Sequence, residues 1–292
     1  MMTQTAQPVG TFSKEVGWYH PTLFEVPEET RQLLEEYSDV PTDQVIPHIL
    51  RYRDLLWDVF PYPTIGQFRF VALSFYSQRS YASIVELLKK GGRYLDIGCA
   101  VGQDLRRLVL DGCPSTNFYA VEIAGGYVDL SYGLFADKET LAARFIKADF
   151  RDETVESTQA LLGTVDVCHV GMVLHIWDLE DQIKACVRLT DFLNKKKDLE
   201  QSLGDYMPRG PFIVGTSAGR TVASVANEGI GGKQNYLHDV ESFKVMWKEV
   251  GKRTGLKFQT NVWTHSRFGL DGEKAHWNDP GRRILVWEVT RV

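Results

Sequence analysis

The sequence predicts an α/β fold with a mostly parallel sheet, and three observations lead to this prediction. After Gly92, short apolar segments rich in β-branched residues alternate with amphipathic segments. A glycine-rich turn follows the first apolar segment, and the last two apolar segments are joined by a polar stretch without helical periodicity. Alternating strands and helices predict a parallel sheet covered on both faces, whereas the polar stretch predicts a final antiparallel pair.

Seven segments are strand candidates because they are short, apolar and bounded by turn residues. They are Arg93–Ile97, Asn117–Ile123, Ala143–Ala148, Thr164–Val173, Pro211–Thr216, Leu256–Trp263 and Ile284–Thr290. The helix candidates between them are Gly102–Asp111, Gly125–Ala136, Glu153–Leu162, Leu179–Leu193 and Val240–Thr254. The linker between the last two strands, residues 265–283, and the stretches 195–210 and 220–237 are predicted to be long loops.

The chain before the first strand is predicted to be helical. Apolar residues from Val45 to Val59 recur at spacings of four and three, which indicates one face of a helix. Thr42 or Asp43 is the candidate cap. A second amphipathic helix is expected over residues 67–90, ending at two glycines.

Composition restricts the classes of function. The chain has 292 residues, a formal net charge of -5 and 43% hydrophobic residues, which suits a globular protein and argues against a nucleic-acid partner. The four cysteines lack metal-ligand spacing, so no metal site is expected, and they fit a reducing, cytoplasmic location. Residues 1–11 lack the apolar core of a secretory signal, and no apolar run long enough to span a membrane is found.

The turn after the first strand contains the most informative motif, Asp96-Ile97-Gly98-Cys99-Ala100-Val101-Gly102. A dinucleotide-binding loop requires G-x-G-x-x-G, and this pattern is broken because Gln103 occupies the position of the third glycine. The motif instead resembles the D/E-x-G-x-G-x-G loop of class I S-adenosylmethionine (SAM)-dependent methyltransferases, except at Ala100. The resemblance implies a Rossmann-like fold with a mostly parallel seven-stranded sheet and an antiparallel C-terminal hairpin. It also implies SAM as cofactor and S-adenosylhomocysteine as its product.

Acidic residues at later strand ends extend this prediction. Glu122 ends the second strand, about 20 residues beyond the loop, where an acid can accept from the two ribose hydroxyls. The resemblance implies that Asp149 accepts from the adenine amino group, that Phe150 packs on the base, and that Asp96 helps to hold the amino end of SAM. The predicted cofactor-binding residues are Asp96, Gly98, Cys99, Ala100, Gly102, Glu122, Ile123, Ala148, Asp149, Phe150 and Val170.

The methyl acceptor is predicted to lie beyond the fourth strand. His175 follows that strand and is either a general base for a phenol or an orienting residue for a carboxylate, which is already ionised at pH 7. Trp177, His238 and Arg69 are the candidate substrate residues. The alternative for His238 is a structural role, in which it caps the helix 240–254 from outside. Arg79 is the alternative to Arg69 as carboxylate ligand.

Four segments carry a more specific resemblance, because they match the fungal methyltransferases of meroterpenoid pathways of the austinol, terretonin and andrastin type. They are residues 17–21, 62–70, 95–106 and 238–247. The resemblance implies a homodimeric carboxyl O-methyltransferase acting on a prenylated aromatic polyketide acid. It also implies a helical lid or dimerisation region over residues 1–90, followed by the SAM-binding domain over residues 91–292. Phenol O-methylation and non-catalytic SAM binding are the alternatives.

Overall fold

A computed structural model describes residues 9–76, 78–194, 212–265 and 281–292. These residues form nine strands: β1 (Tyr94–Ile97), β2 (Phe118–Glu122), β3 (Arg144–Lys147), β4 (Val167–Gly171), β5 (Phe212–Arg220), β6 (Ser224–Ala226), β7 (Asn235–Leu237), β8 (Phe258–His265) and β9 (Arg282–Arg291). Seven of them form one sheet in the order β3-β2-β1-β4-β5-β9-β8, and β6 pairs with β7. Strands β1 to β5 are parallel, whereas β9 is antiparallel to both β5 and β8. The predicted fold class and final antiparallel pair are therefore confirmed.

The helices of the described residues are α1 (Glu28–Gln32), α2 (Val45–Val59), α3 (Pro63–Gly66), α4 (Tyr81–Lys89), α5 (Gln103–Leu110), α6 (Gly125–Phe135), α7 (Glu156–Gln159), α8 (Leu179–Phe192) and α9 (Val240–Thr254). A π-helical turn, Leu33–Tyr37, extends α1. Single 3₁₀ turns lie at Thr42–Gln44, Arg69–Val71, Ser115–Asn117 and Leu174–Ile176. None of the helices that the structure describes is long and apolar enough to cross a membrane.

Local chemistry explains where the long helices begin and end. The Asp239 side chain accepts from the Ser242 amide at 2.8 Å, and the Ser242 hydroxyl accepts from the Asp239 amide at 3.0 Å, which closes a capping box at the start of α9. That helix ends at Gly255, whose φ of 71° is a left-handed conformation. The Asp178 side chain caps α8 by accepting from Asp181.

The prediction of one continuous helix over residues 67–90 is wrong. Phe68 has a φ of 60° and a 3₁₀ turn follows it, so regular helix resumes only at Tyr81. Phe68, Phe70 and Phe75 are all buried, yet side chains two positions apart point to different faces of a helix. Burying all three rings therefore requires a chain that turns.

Three smaller predictions are also corrected. Thr42 and Asp43 lie in a 3₁₀ turn, so Gln44 precedes α2 and makes no side-chain cap. Only α7 is α-helical within the candidate 153–162. The predicted loop 220–237 contains the short β6–β7 hairpin. Pro211, residues 195–210 and most of the linker 265–283 lie outside the described residues.

The N-terminal helices share a hydrophobic core with the sheet domain. Trp57 and Phe68 belong to one buried cluster with Val101 beside the glycine turn and with Tyr127 and Phe135 of α6. Since burial of apolar surface is the main stabilising contribution in a core, this cluster fixes the N-terminal region against the glycine turn and α6.

A buried ion pair reinforces this junction, and it generates a stability prediction. Arg106 of α5 donates to both carboxylate oxygens of Asp137 at 2.6 and 2.9 Å, and the Tyr37 hydroxyl donates to Asp137 at 2.8 Å. The Arg106 side chain is 0% exposed and the Asp137 side chain is 3% exposed. Asp137→Asn leaves a buried guanidinium without its counter-charge, so we expect the free energy of unfolding in urea to fall by about 3–5 kcal/mol.

The matched control is Asp129→Asn, because Asp129 pairs with Lys147 at the surface and its side chain is 68% exposed. An exposed pair contributes little, so this variant should unfold at nearly the wild-type urea concentration. Equal losses in the two variants would contradict the structural role of the buried pair.

Candidate active site

A cavity of about 1050 Å³ lies along the carboxyl edge of the parallel strands, where open α/β sheets bind ligands. Pockets for small ligands usually span about 300–1,000 Å³, so this cavity lies at the upper end of that range. Following the sheet from β3 to β9, the floor is lined by Asp149, Glu122, Asp96 and Gly171 at or near the ends of their strands, by Thr216 within β5 and by Arg282 at the start of β9.

The glycine turn brings the backbone close to the cavity. Gly98 has a φ of 65° and a missing Cβ that would lie only 2.4 Å from Cγ2 of Val173. Ala100 adopts a φ of 49°, a left-handed conformation that costs a residue with a Cβ about 1–2 kcal/mol. Gly102 also has a positive φ and precedes the first residue of α5, but it does not line the cavity. Gly98 and Ala100 therefore shape the wall directly, whereas Gly102 starts the helix behind it.

Glu122 connects this turn to the end of β2. One carboxylate oxygen accepts from the Ala100 amide at 2.9 Å and the other from the Ala124 amide at 2.8 Å. Burial raises the pKa of Glu122, although these amide hydrogen bonds oppose the shift. Each carboxylate oxygen has a second acceptor lone pair, so Glu122 can accept from ligand hydroxyls while it holds the turn.

Asp149 has a partner that the sequence analysis missed. The Arg151 guanidinium donates to Asp149 at 2.7 Å and lies 4.3 Å from the centroid of the Trp177 ring. Burial opposes ionisation of Asp149, but the hydrogen bonds from Arg151 outweigh it and lower the pKa. Ile123 follows β2, the strand paired with β3, and at 64% exposure it offers an apolar surface at the same edge of the sheet. A purine amino group would therefore share Asp149 with Arg151.

Asp96 also has an unpredicted partner, His169. The two residues are paired in register on β1 and β4, and Asp96 Oδ1 lies 2.9 Å from His169 Nδ1. Burial disfavours the charged imidazole, but Asp96 and Asp104 outweigh it and raise the pKa of His169. The sequence shows His169 within a strand, but only the strand register shows that it faces Asp96.

The other end of the cavity is basic. His175 and Arg69 line it together with Arg282, which the sequence analysis did not single out. Arg282 pairs with Glu228. Burial, together with the charges of Arg282 and Arg69, lowers the pKa of His175 to about 3. A general base is most effective when its pKa is near the working pH, so the structure favours an orienting role for His175.

The remaining predicted residues divide into two groups. The cavity lining includes Asp96, Gly98, Cys99, Ala100, Glu122, Ile123, Ala148, Asp149, Phe150, Arg69, His175 and Trp177. Val170 is instead buried in the core. His238 lies outside the lining, and its Nδ1 is 2.9 Å from the Ser242 hydroxyl in the first turn of α9. Arg79 lies 4.5 Å from the centroid of the Trp263 ring, away from the lining.

Comparisons with known proteins identify the family. Residues 18–71 match the meroterpenoid methyltransferase N-terminal domain. The O-methyltransferase atr3 of Stereocaulon alpinum is 36% identical over 282 residues, which cover 96% of this chain and 77% of that protein. The asnovolin E/chermesin D methyltransferase nvfJ of Aspergillus novofumigatus is 30% identical over 269 residues, which cover 92% of this chain and 91% of that protein. The chain belongs to the fungal meroterpenoid-pathway methyltransferases. The resemblance found in the sequence is confirmed, and the protein is a methyltransferase of secondary metabolism.

A solved structure supports the class I methyltransferase fold. Phosphoethanolamine N-methyltransferase 2 of Haemonchus contortus, in complex with phosphomonomethylethanolamine and S-adenosylhomocysteine, superimposes with a TM-score of 0.51 at 14% identity. The match covers 82% of this methyltransferase but 60% of the nematode chain. At this identity the likeness concerns the fold alone.

The close contact at Gly98 generates a binding prediction. In Gly98→Ala the new Cβ would collide with Val173. Overpacking of this kind costs about 1–3 kcal/mol. We therefore expect the affinity for S-adenosylhomocysteine, measured by calorimetry, to fall about tenfold or more. The control is Gly255→Ala, which has a similar φ of 71° but no atom within 4 Å of the new Cβ. Adding Val173→Ala should restore part of the affinity, and a double variant that binds no better would contradict the steric explanation.

Proposed function

We propose that this methyltransferase uses SAM to methylate the carboxylate of an apolar small molecule, giving a methyl ester and S-adenosylhomocysteine. The observation that carries the proposal is the charge distribution along the cavity. Carboxylates lie at or near the ends of β1, β2 and β3, where Arg151 pairs with Asp149. The other two guanidinium groups of the lining, Arg69 and Arg282, lie around His175. Such a cavity has separate places for a cationic donor and an anionic acceptor.

The lining from β3 to β1 fits the donor. Glu122 offers acceptor atoms for ribose hydroxyls, and Ile123 and Phe150 offer apolar surface to a purine beside Asp149. His169 Nε2 is buried and has no hydrogen-bond partner among the described residues, so a ligand atom can satisfy it. Bound SAM supplies an electrophilic methyl group on its sulfonium.

The far end of the cavity suits a carboxylate acceptor. Arg69 and Arg282 line the wall around His175, and burial lowers the pKa of Arg69 to about 10, which leaves it charged at pH 7. Guanidinium groups bind carboxylates through charge-assisted, often bidentate, hydrogen bonds. Arg69 and Arg282 would therefore orient the acceptor oxygen.

The low pKa of His175 also favours a carboxylate over a phenol. A phenol has a pKa near 10 and gains from a base that removes its proton, whereas a carboxylic acid is ionised at pH 7. With a pKa of about 3, His175 is a weak proton acceptor. Methyl transfer to a carboxylate depends mainly on placing the reacting atoms, which is a task that a neutral His175 can share.

Apolar residues from the N-terminal region also line the cavity. They are Trp18, Ile65 and Leu73, joined by Ile230 and Ile284 from later in the chain. Such walls suit a hydrocarbon chain, which supports a prenylated aromatic polyketide acid as the acceptor class and a lid role for part of residues 1–90. The homodimer, the cytoplasmic location and the division at residue 90 stay predictions from the sequence.

The experiment that tests the proposal follows the transferred methyl group. The purified protein is incubated with methyl-labelled SAM and an aromatic acid that carries both a phenol and a long apolar chain, or with the methyl ester of that acid. We expect label in the acid sample only, and we expect mild alkaline hydrolysis to release it because an ester is cleaved. Label that survives hydrolysis would identify a phenol ether and contradict carboxyl methylation.

The role of Arg69 gives a second prediction. A lost hydrogen bond between charged groups costs about 1.5–3 kcal/mol, so Arg69→Gln should raise KM for the acid acceptor roughly 10- to 100-fold and leave KM for SAM nearly unchanged. Arg79→Gln is the matched control, because Arg79 packs on Trp263 outside the cavity. If both variants raise KM for the acceptor equally, Arg69 is not the carboxylate ligand.

A further inference from the structure

An acidic pocket at the β1–β4 side of the cavity is not explained by the contacts assigned so far. Asp104, in the first turn of α5, lines the cavity and is 2% exposed. Its carboxylate accepts from the Phe75 amide at 3.0 Å, from the Gln103 amide group at 3.3 Å and from the Ser74 hydroxyl at 3.4 Å. Burial raises the pKa of Asp104 to about 6, although the charge of His169 and the hydrogen bonds from Phe75 and Ser74 oppose the shift.

His169 completes this pocket. Its Nδ1 is held by Asp96, its ring stacks on Phe75 at a centroid distance of 5.0 Å, and the residue is 2% exposed. His169 lines the cavity, and its buried Nε2 has no hydrogen-bond partner among the described residues. A Cβ added at Gly171 would lie 3.4 Å from this nitrogen, so the missing side chain of Gly171 keeps space beside it. An unsatisfied buried polar atom is unfavourable, and a hydrogen bond from a ligand atom would satisfy it.

The charges of the pocket select a cation. Two carboxylates, Asp96 and Asp104, face a single imidazole, so with both ionised the group is negative whether His169 is neutral or protonated. The guanidinium of Arg282 is remote from this pocket. His169 is level with Val214 of β5 and hence with Glu288 of β9. Arg282 lies six residues further along β9, and a strand rises about 3.3 Å per residue, so the two backbones are roughly 20 Å apart.

We infer that Asp104, together with His169 held by Asp96, binds the α-ammonium group of the methionyl tail of the cofactor. A bound cation disfavours the protonated form of the neighbouring imidazole. The three donors of an ammonium group then match the Asp104 carboxylate and the Nε2 lone pair of neutral His169. In that state His169 Nδ1–H donates to Asp96. The pocket lies next to the strand that ends in Glu122, so one ligand can reach both. This inference rests on SAM as the donor and is independent of the acceptor.

The test removes the amino group from the ligand and the charge from the protein in turn. Calorimetry measures the binding of S-adenosylhomocysteine and of the analogue that lacks only its amino group. Wild-type protein should bind the analogue about 10- to 100-fold more weakly, the range expected for a hydrogen bond between charged groups. In Asp104→Asn and His169→Gln this preference should shrink, whereas Asp129→Asn, which alters the surface, should retain it.

The ligand comparison in wild-type protein remains decisive even where a variant fails to fold. Equal affinity of the wild type for the two ligands would overturn the inference, and so would an Asp104→Asn variant that keeps the full preference. Wild-type protein that binds neither ligand would overturn SAM as the donor as well. If the protein forms no methyl ester but still binds S-adenosylhomocysteine more tightly than the analogue without the amino group, only the carboxylate acceptor is refuted.

Discussion

The Glu122 carboxylate joins the two turns on which the cavity depends. It accepts from Ala100 in the glycine turn after β1 and from Ala124 at the start of α6. These bonds hold Ala100 in an unfavourable left-handed conformation and satisfy a carboxylate that is 6% exposed. Because a buried carboxylate is costly unless it is hydrogen-bonded, the site exists only when both turns are formed. Residues of the wall are thus positioned by the fold before a ligand arrives.

The order of strands converts this local geometry into a distribution of charge. Parallel strands present their carboxyl ends at one edge, so acids that end β1, β2 and β3 come together there although they are far apart in the chain. Strand β9 runs the opposite way, which places its first residue, Arg282, at the same edge beside Arg220 of β5. The antiparallel final strand therefore does more than complete the sheet. It brings the Arg282 guanidinium into the lining of a cavity that also contains the carboxylates of Glu122 and Asp149.

Local sequence patterns predicted much of this arrangement. The seven strands, the glycine turn and the strand-end residues Glu122 and Asp149 could be recognised because alternation and turn chemistry are encoded within a few residues. Pairings between distant segments could not be recognised from such local patterns. His169 faces Asp96 only through the register of β1 and β4, and Arg282 reaches His175 only through the reversal of β9.

The broken helix after Gln67 was missed for a related reason. Its amphipathic periodicity is compatible with a helix, but burying Phe68, Phe70 and Phe75 together is a tertiary requirement, and tertiary context overrides local preference. The resulting turn places Arg69 in the cavity wall and lets the Phe75 amide donate to Asp104. The element that local patterns predicted least well is thus the one that connects the N-terminal region to the site.

A crystal structure of the protein with S-adenosylhomocysteine tests the central claim most directly, because it shows how the nucleoside lies along the sheet edge. The account predicts that both ribose hydroxyls lie within hydrogen-bond distance of Glu122 while its bonds to Ala100 and Ala124 persist. A nucleoside on the β5–β9 side of the cavity, or a Glu122 carboxylate that has left the glycine turn to reach it, would contradict the account.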